Sequence, residues 1–206
     1  DWRPTYSIAP TDEVPVVREF NHDGATRREI DMATWDFRPG WAKPTGRPQI
    51  NARLETVASS GMFKAAFASQ RLIVPMNGYV EWTETARGKQ PHFIQNGGLL
   101  SAAGLYASRQ ENGQWKRSFT IITRAARDAS GEVHDRMPVF LTSDTWGDWL
   151  SPEKLTVKEE MLALLDRSSL EVAASLSAYP VSRRLNNVRS IDPYDPSLIE
   201  PDTAEG

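Results

Sequence analysis

Arg71-Leu72-Ile73-Val74-Pro75 and, three residues on, Tyr79-Val80-Glu81-Trp82-Thr83-Glu84 form the stretch whose reading decides the fold. The first run is apolar and β-branched at its centre, and the second alternates, so both read as strands. In the second, Tyr79 and Glu81 share one face while Val80 and Trp82 share the other. Downstream, His92–Gln95, Leu99–Ala107 and Phe119–Thr123 continue the pattern. Arg87-Gly88-Lys89 and Glu111-Asn112-Gly113 supply hairpin turns between them. Upstream, Val14–Phe20 and Arg27–Phe37 flank Asn21-His22-Asp23-Gly24, which is turn chemistry and predicts a hairpin. Val139–Leu141 and Tyr179-Pro180-Val181 add short strands.

Helical patterning is confined to two regions. Glu55 to Gln70 reads as two short helices interrupted near Gly61. In the last quarter, Ser143–Leu150 is a short helix with Trp146 and Trp149 in the core. Thr156-Val157-Lys158-Glu159 has the form of a capping box opening a second helix, and Ser169–Leu176 reads as a third. Residues 38–49 hold three prolines and two glycines and form a long loop. The result is an α+β fold in a single domain, residues 1–206, with an antiparallel, barrel-like sheet and peripheral helices. The Pro- and Asp-rich stretch 192–206 is expected to be a flexible tail.

A chain of 206 residues builds one sizeable core. Its formal net charge of −3 argues against a strongly basic nucleic-acid binder, although a local basic stripe is what such binding needs. Basic residues do gather in Arg38, Lys43, Arg47 and Arg53, and again in Arg183, Arg184 and Arg189. Zero cysteines exclude disulfides, a thiolate metal site and a thiol nucleophile among these residues. No apolar run approaches the roughly 20 residues of a membrane span, and no signal-peptide pattern is present, so an intracellular location is expected.

Three strings are polar where core strands should be apolar: Asn51-Ala52-Arg53-Leu54-Glu55-Thr56, Gly78-Tyr79-Val80-Glu81-Trp82 and His134-Asp135-Arg136-Met137-Pro138. Glu81 on a strand among aromatics is either a desolvated general acid or a solvent-facing edge residue. His134 is either a proton carrier or a surface histidine beside a local Asp135/Arg136 pair. Asn51 and Arg53 share a face if extended, where an Arg can fork a phosphate; otherwise they are a loop cap and a surface charge. The three histidines, with His22 in the turn and His92 beside a strand, show no metal-ligand spacing, and no cofactor is expected. Seven tryptophans interleaved with basic residues fit base stacking along a single strand, with Trp2, Trp35, Trp41 and Trp82 near the basic stretch.

Taken in order, these strings resemble the SRAP family (SOS-response-associated peptidase). The matching segments are Tyr6 to Thr11, Trp35-Asp36-Phe37 with Pro39 and Trp41, Ile50 to Thr56 with Met62-Phe63, Gly78 to Trp82, His134 to Pro138, and Pro180-Val181-Ser182 with Asn187-Val188. The resemblance implies a sensor and covalent shield of abasic sites in single-stranded DNA. It acts through an N-terminal Cys whose amine and thiol close a thiazolidine on the sugar aldehyde, with autopeptidase and lyase activities attached.

It also implies roles. Glu81 shuttles protons, His134 assists sugar-ring opening, and Asn51 holds the nucleophile's amine. Arg53 clamps phosphate, Trp35, Trp41 and Trp82 fall near the DNA channel, and Thr123 is a weaker backbone contact. A monomer in the cytoplasm, associated with the nucleoid and with no membrane partner, is the default expectation. Two departures stand out. The opening Cys-Gly-Arg segment is absent, so the chain as written is expected to be truncated or a natural variant and inactive in crosslinking. Gly61 replaces a residue that is basic in many relatives. The other readings are a non-catalytic single-strand-binding module and an unrelated acid–base hydrolase with a closed apolar pocket.

Overall fold

A computed structural model describes residues 2–42 and 46–202. Ten strands and four α-helices follow in order: β1 (Glu13–His22), β2 (Ala25–Thr34), β3 (Asn51–Arg53), α1 (Lys64–Ser69), β4 (Arg71–Met76), β5 (Tyr79–Thr85), β6 (Gly88–Gln95), β7 (Leu100–Glu111), β8 (Gln114–Ala125), α2 (Asp128–Val133), β9 (Arg136–Pro138), α3 (Trp146–Leu150), α4 (Lys158–Ala173) and β10 (Ser177–Pro180). Lys43 of the basic cluster lies outside the described residues. None of the described helices is long and apolar enough to cross a membrane.

Strands β2-β1-β4-β7-β8 run antiparallel in that order, and a β2–β8 contact at Thr34↔Ser118 closes them into a barrel. The closure is parallel, as is the pairing that adds β3 to the far edge of β8. The antiparallel barrel expected from the sequence is therefore present, with two parallel contacts at its seam. β9 also pairs β8, beyond the β7 ladder. A separate small sheet, β10-β6-β5, packs beside the barrel.

The chemistry of the strands explains this layering. Leu72, Ile73 and Val74 of β4 are all buried, with Leu72 and Val74 in one apolar cluster and Ile73 in the other. That is why the run is apolar without alternation. One cluster, with Phe67, Ile122, Trp149 and Leu165, joins the barrel to the helices. The other, with Leu72, Phe119, Phe140 and Ile94, joins it to the small sheet. Arg71 is 2% exposed, and its guanidinium donates to the carbonyls of Phe67, Ala68, Trp149, Ser151 and Glu153. Burial pushes its pKa down to about 10, still charged at neutral pH. It closes the ends of α1 and α3 without any carboxylate.

Several expectations about local structure are corrected. Only Lys64–Ser69 of the 55–70 region is helical, and the residues before it form turns. Ser169–Leu176 does not begin a new helix, because α4 runs unbroken through it to Ala173. The Ser168-Ser169 pair is buried, and its hydroxyls accept from the Thr142 and Phe140 N–H groups. The capping box is not formed. Val157 occupies the cap position with no side-chain bond. Val139–Leu141 lies just past β9 and joins the sheet through a bridge from Phe140 to Ala102.

The stretch after Asp192 is packed as far as Asp202 rather than free, and the last four residues lie outside the described chain. Leu198 is fully buried against Phe93, Val181 and Leu185. Tyr179 Oη donates to Ile199 O at 3.1 Å, and Asp202 N to Pro180 O at 2.8 Å. Pro and Asp here are turn formers, since Asp195 caps the turn Pro196–Leu198. Leu198→Ala is accordingly expected to cost about 2–4 kcal/mol in urea unfolding. A change below about 0.5 kcal/mol, usual for an exposed tail residue, would show that this segment is not part of the core.

Candidate active site

Glu81 and His134 are brought together by three elements. Gly78 opens β5 where no side chain fits, since a Cβ there would lie 2.3 Å from the Phe93 ring. Tyr79 then turns toward the barrel, its ring 5.8 Å from that of Phe140, and its hydroxyl meets Ser130 Oγ of α2 at 2.7 Å. Burial and the nearby Glu81 charge push the Tyr79 pKa up, so the phenol keeps its proton. α2 ends by donating His134 N–H to Ser130 O at 2.9 Å. Ser130, fully buried, thus holds β5 through its hydroxyl and the start of the His134 string through its carbonyl.

With that anchor, Glu81 lies on the Tyr79 face of β5, and its Oε2 is 3.9 Å from His134 Nδ1, an ion-pair distance. His134 Nδ1 also meets Asp135 Oδ1 at 3.2 Å and accepts from the Arg136 N–H at 3.1 Å. The Arg136 carbonyl oxygen also lies 3.3 Å from Nδ1, so this nitrogen faces one N–H donor and several oxygen acceptors. On protonation Nδ1 gains carboxylate partners in Asp135 and Glu81. The Glu81 carboxyl is held above the usual carboxylate range, mainly by burial; His134 opposes the shift and Asp135 adds to it. A carboxyl that holds its proton at higher pH beside an imidazole able to take one is general acid–base machinery.

Asn51 and Arg53 project outward from β3, on either side of the buried Ala52. Arg53 pairs with Thr123 in the ladder, and Thr123 pairs on its other side with Pro138 of β9. β8 therefore separates the Asn51/Arg53 edge from the His134 string by one strand. Among the described residues neither the Asn51 amide nor the Arg53 guanidinium has a hydrogen-bonded side-chain partner. Arg136 is not paired with Asp135 as its sequence position suggested. It reaches across β8 to Glu55, Nη1 to Oε1 at 2.7 Å and Nη2 to Oε2 at 3.0 Å.

The other expected channel residues are placed differently. Thr123 is buried, and its carbonyl accepts from Leu54 N and Arg136 Nη2, so it braces the site from behind. Trp35 is half-buried, stacked on Phe119 at 6.3 Å, and its Nε1 donates to Ile50 O at 2.9 Å, which fixes the entry to β3. Trp82 faces away from Glu81, as alternation requires, and its Nε1 donates to Asn186 Oδ1 at 2.8 Å. Trp41 is 66% exposed in the 38–49 loop. In the second basic group, Arg183 and Arg184 are tied to Gln90 and to Asp195, respectively. No group of three His, Cys, Asp or Glu able to hold a metal occurs among the described residues. Two concavities, of about 290 Å³ by Arg183 and Arg184 and about 190 Å³ by Asp36 and Arg117, are lined by neither Glu81 nor His134.

The sequence reasoning did not find Ser130, Tyr79 as its partner, or the Glu55–Arg136 pair. The last two residues are 81 positions apart, and nothing local links them.

The raised Glu81 pKa carries a stability signature. Below the unfolded-state pKa both states are protonated and there is no cost. As pH rises toward the folded-state pKa, the unfolded chain releases its proton more readily, and the cost is complete above that value. Glu81→Gln is therefore expected to stabilise the protein more at about pH 8 than at about pH 4 in urea unfolding. An equal difference at the two pH values would show that the carboxyl is not desolvated.

Comparison with known proteins bears on this geometry. The sequence model of the SOS response associated peptidase (SRAP) family matches residues 1–188. Abasic site processing protein YedK of Escherichia coli (strain K12) is 31% identical over 199 residues, covering 95% of this chain and 84% of its own length. Abasic site processing protein YoqW of Bacillus subtilis (strain 168) is 31% identical over 206 residues, covering 97% and 87%. A crystal structure of a protein from Bacteroides thetaiotaomicron superposes with a TM-score of 0.72 at 23% identity, over 93% of this chain and 82% of that one. A phage-related protein of Bordetella bronchiseptica gives 0.65 at 27% identity, over 85% and 81%. The barrel, the ordered polar strings and these matches together place this chain in the SRAP family.

Proposed function

We propose that the Glu81–His134 pair and the Arg53 edge beside it process abasic sites in single-stranded DNA as part of a DNA-damage response inside the cell. The observation that carries this reading is the 3.9 Å contact between a desolvated carboxyl and an imidazole, one strand away from a guanidinium with no carboxylate of its own. The names of the relatives, abasic site processing proteins, support the substrate class.

The chemistry then has assigned parts. An abasic sugar is mostly a closed hemiacetal; His134 takes the anomeric hydroxyl proton and returns it to the ring oxygen as the C1′–O4′ bond breaks. An α-amine held by Asn51 adds to the C1′ aldehyde. Glu81 protonates the departing hydroxyl, so that water leaves and an imine forms. A thiol on the same residue closes a thiazolidine by adding to the imine carbon. The ring-closing step needs a thiol, and none of residues 1–206 carries one. The same imine intermediate gives access to β-elimination, and the same acid–base pair serves removal of an initiator Met. Arg53 grips a phosphate of the strand, and the exposed Trp41 offers a face for base stacking.

A non-catalytic binding module would share the basic edge but not need the acid–base pair. A small-molecule hydrolase would need an enclosed pocket at Glu81 and would show no salt-dependent DNA binding.

Protein extended to begin Met-Cys is expected to trap an oligonucleotide with a single abasic site as a species stable on denaturing gels. Glu81→Gln should slow its formation or reversal more than it weakens binding. Absence of the trapped species from the extended protein would leave only the binding module. Arg53→Ala is expected to weaken single-strand binding and to reduce the slope of log K against log salt by about 0.7, the value of one lost phosphate contact. An unchanged slope would make Arg53 a structural residue.

A further inference from the structure

We infer that Glu55 is an internal competitor for the phosphate-binding edge of Arg136, and that it tunes how tightly the site holds a nucleic-acid strand. The inference rests on the single-strand reading above.

Arg136 presents Nη1 and Nη2 to the two oxygens of Glu55 in a parallel fork, at 2.7 and 3.0 Å. That edge of a guanidinium is the one it offers to a phosphate. The carboxylate therefore fills the place a strand phosphate would take. The two partners are held unequally. Arg136 Nη2 also donates to Thr123 O at 2.7 Å, so the guanidinium stays anchored to β8 without Glu55. Its side chain is 24% exposed, whereas that of Glu55 is 51% exposed. The carboxylate is the member of the pair able to swing into water. Arg53, two residues before Glu55 on the same side of β8, also acts on it through its charge. The Glu55 carboxylate thus lies where two cations favour an anion. The hydrogen bond from Arg136, more than the nearby charges, pulls its pKa below the usual range, so it stays ionised through neutral pH.

The consequence is selectivity by tethering. A free anion has to displace a carboxylate that is part of the chain. A strand already held at Arg53 and at the reacting sugar delivers its next phosphate at high local concentration and can displace it. Glu55 weakens every anion, but weakens isolated ones most in effect.

The test uses fluorescence anisotropy with a single-stranded oligonucleotide carrying a tetrahydrofuran abasic analogue, which binds without reacting, across a range of salt. Glu55→Gln is expected to tighten binding about two- to fivefold, the scale of a half-exposed ion pair. It should also steepen the log K against log salt slope by about 0.7, one added phosphate contact. Glu55→Ser, which cannot re-form the fork, should do the same. In an Arg136→Lys background, which keeps the charge but not the fork, the gain should fall away. Weaker or unchanged binding in both Glu55 variants, or a gain that persists with Arg136→Lys, would overturn the inference. A wild-type protein with no salt-dependent strand binding would instead remove the functional reading on which it rests.

Discussion

The hydrogen bond between Tyr79 Oη and Ser130 Oγ, 2.7 Å long and buried, is the contact on which the site depends. β5 belongs to a small sheet that shares no ladder with the barrel. His134 belongs to the segment between β8 and β9, which does. This bond ties β5 directly to the segment that carries His134. An unmade polar pair of this kind costs about 1–3 kcal/mol when buried, so the bond opposes sliding of one sheet past the other. The phenol keeps its proton because burial and the neighbouring carboxylate both disfavour its ionisation. The same burial that keeps Tyr79 neutral raises the pKa of Glu81, so positioning and proton affinity have one cause.

The charged groups around this pair divide into those already satisfied and those left for a ligand. Arg71 is wholly engaged with backbone carbonyls, Arg183 is committed to the β5–β6 hairpin, and Arg184 to the C-terminal segment. Arg53 has no hydrogen-bonded carboxylate, and Arg136 has one that is half exposed. A chain with a net charge of −3 can therefore still present a local cationic edge beside an acid–base pair. What decides nucleic-acid binding is the placement of unpaired cations rather than their sum.

Much of this was legible in the sequence because the signals were local. Alternation at Tyr79–Glu84 fixed both the strand and the face of Glu81, and positive backbone angles at Asp23-Gly24 and Asn112-Gly113 realise the hairpin turns expected there. The same alternation set Trp82 on the opposite face from Glu81. α2 escaped notice because six residues with a central Gly131 carry no usable period, and its first residue, Asp128, sits at φ +52°. α4 runs on through Ser168-Ser169 because their inward hydroxyls satisfy loop N–H groups without breaking the helix. The Glu55–Arg136 fork and the Tyr79–Ser130 bond are products of topology, with 81 and 51 positions between partners, and no sequence window spans them.

The most direct test of the account follows the side-chain carboxyl carbon of Glu81 by NMR as pH is varied, in the wild-type protein and in Tyr79→Phe. The account predicts a wild-type transition above the ordinary carboxylate range, with a response to the ionisation of His134, and a return toward the ordinary range with loss of that response in Tyr79→Phe. An ordinary, uncoupled transition in the wild type, or an identical curve in the variant, would contradict it.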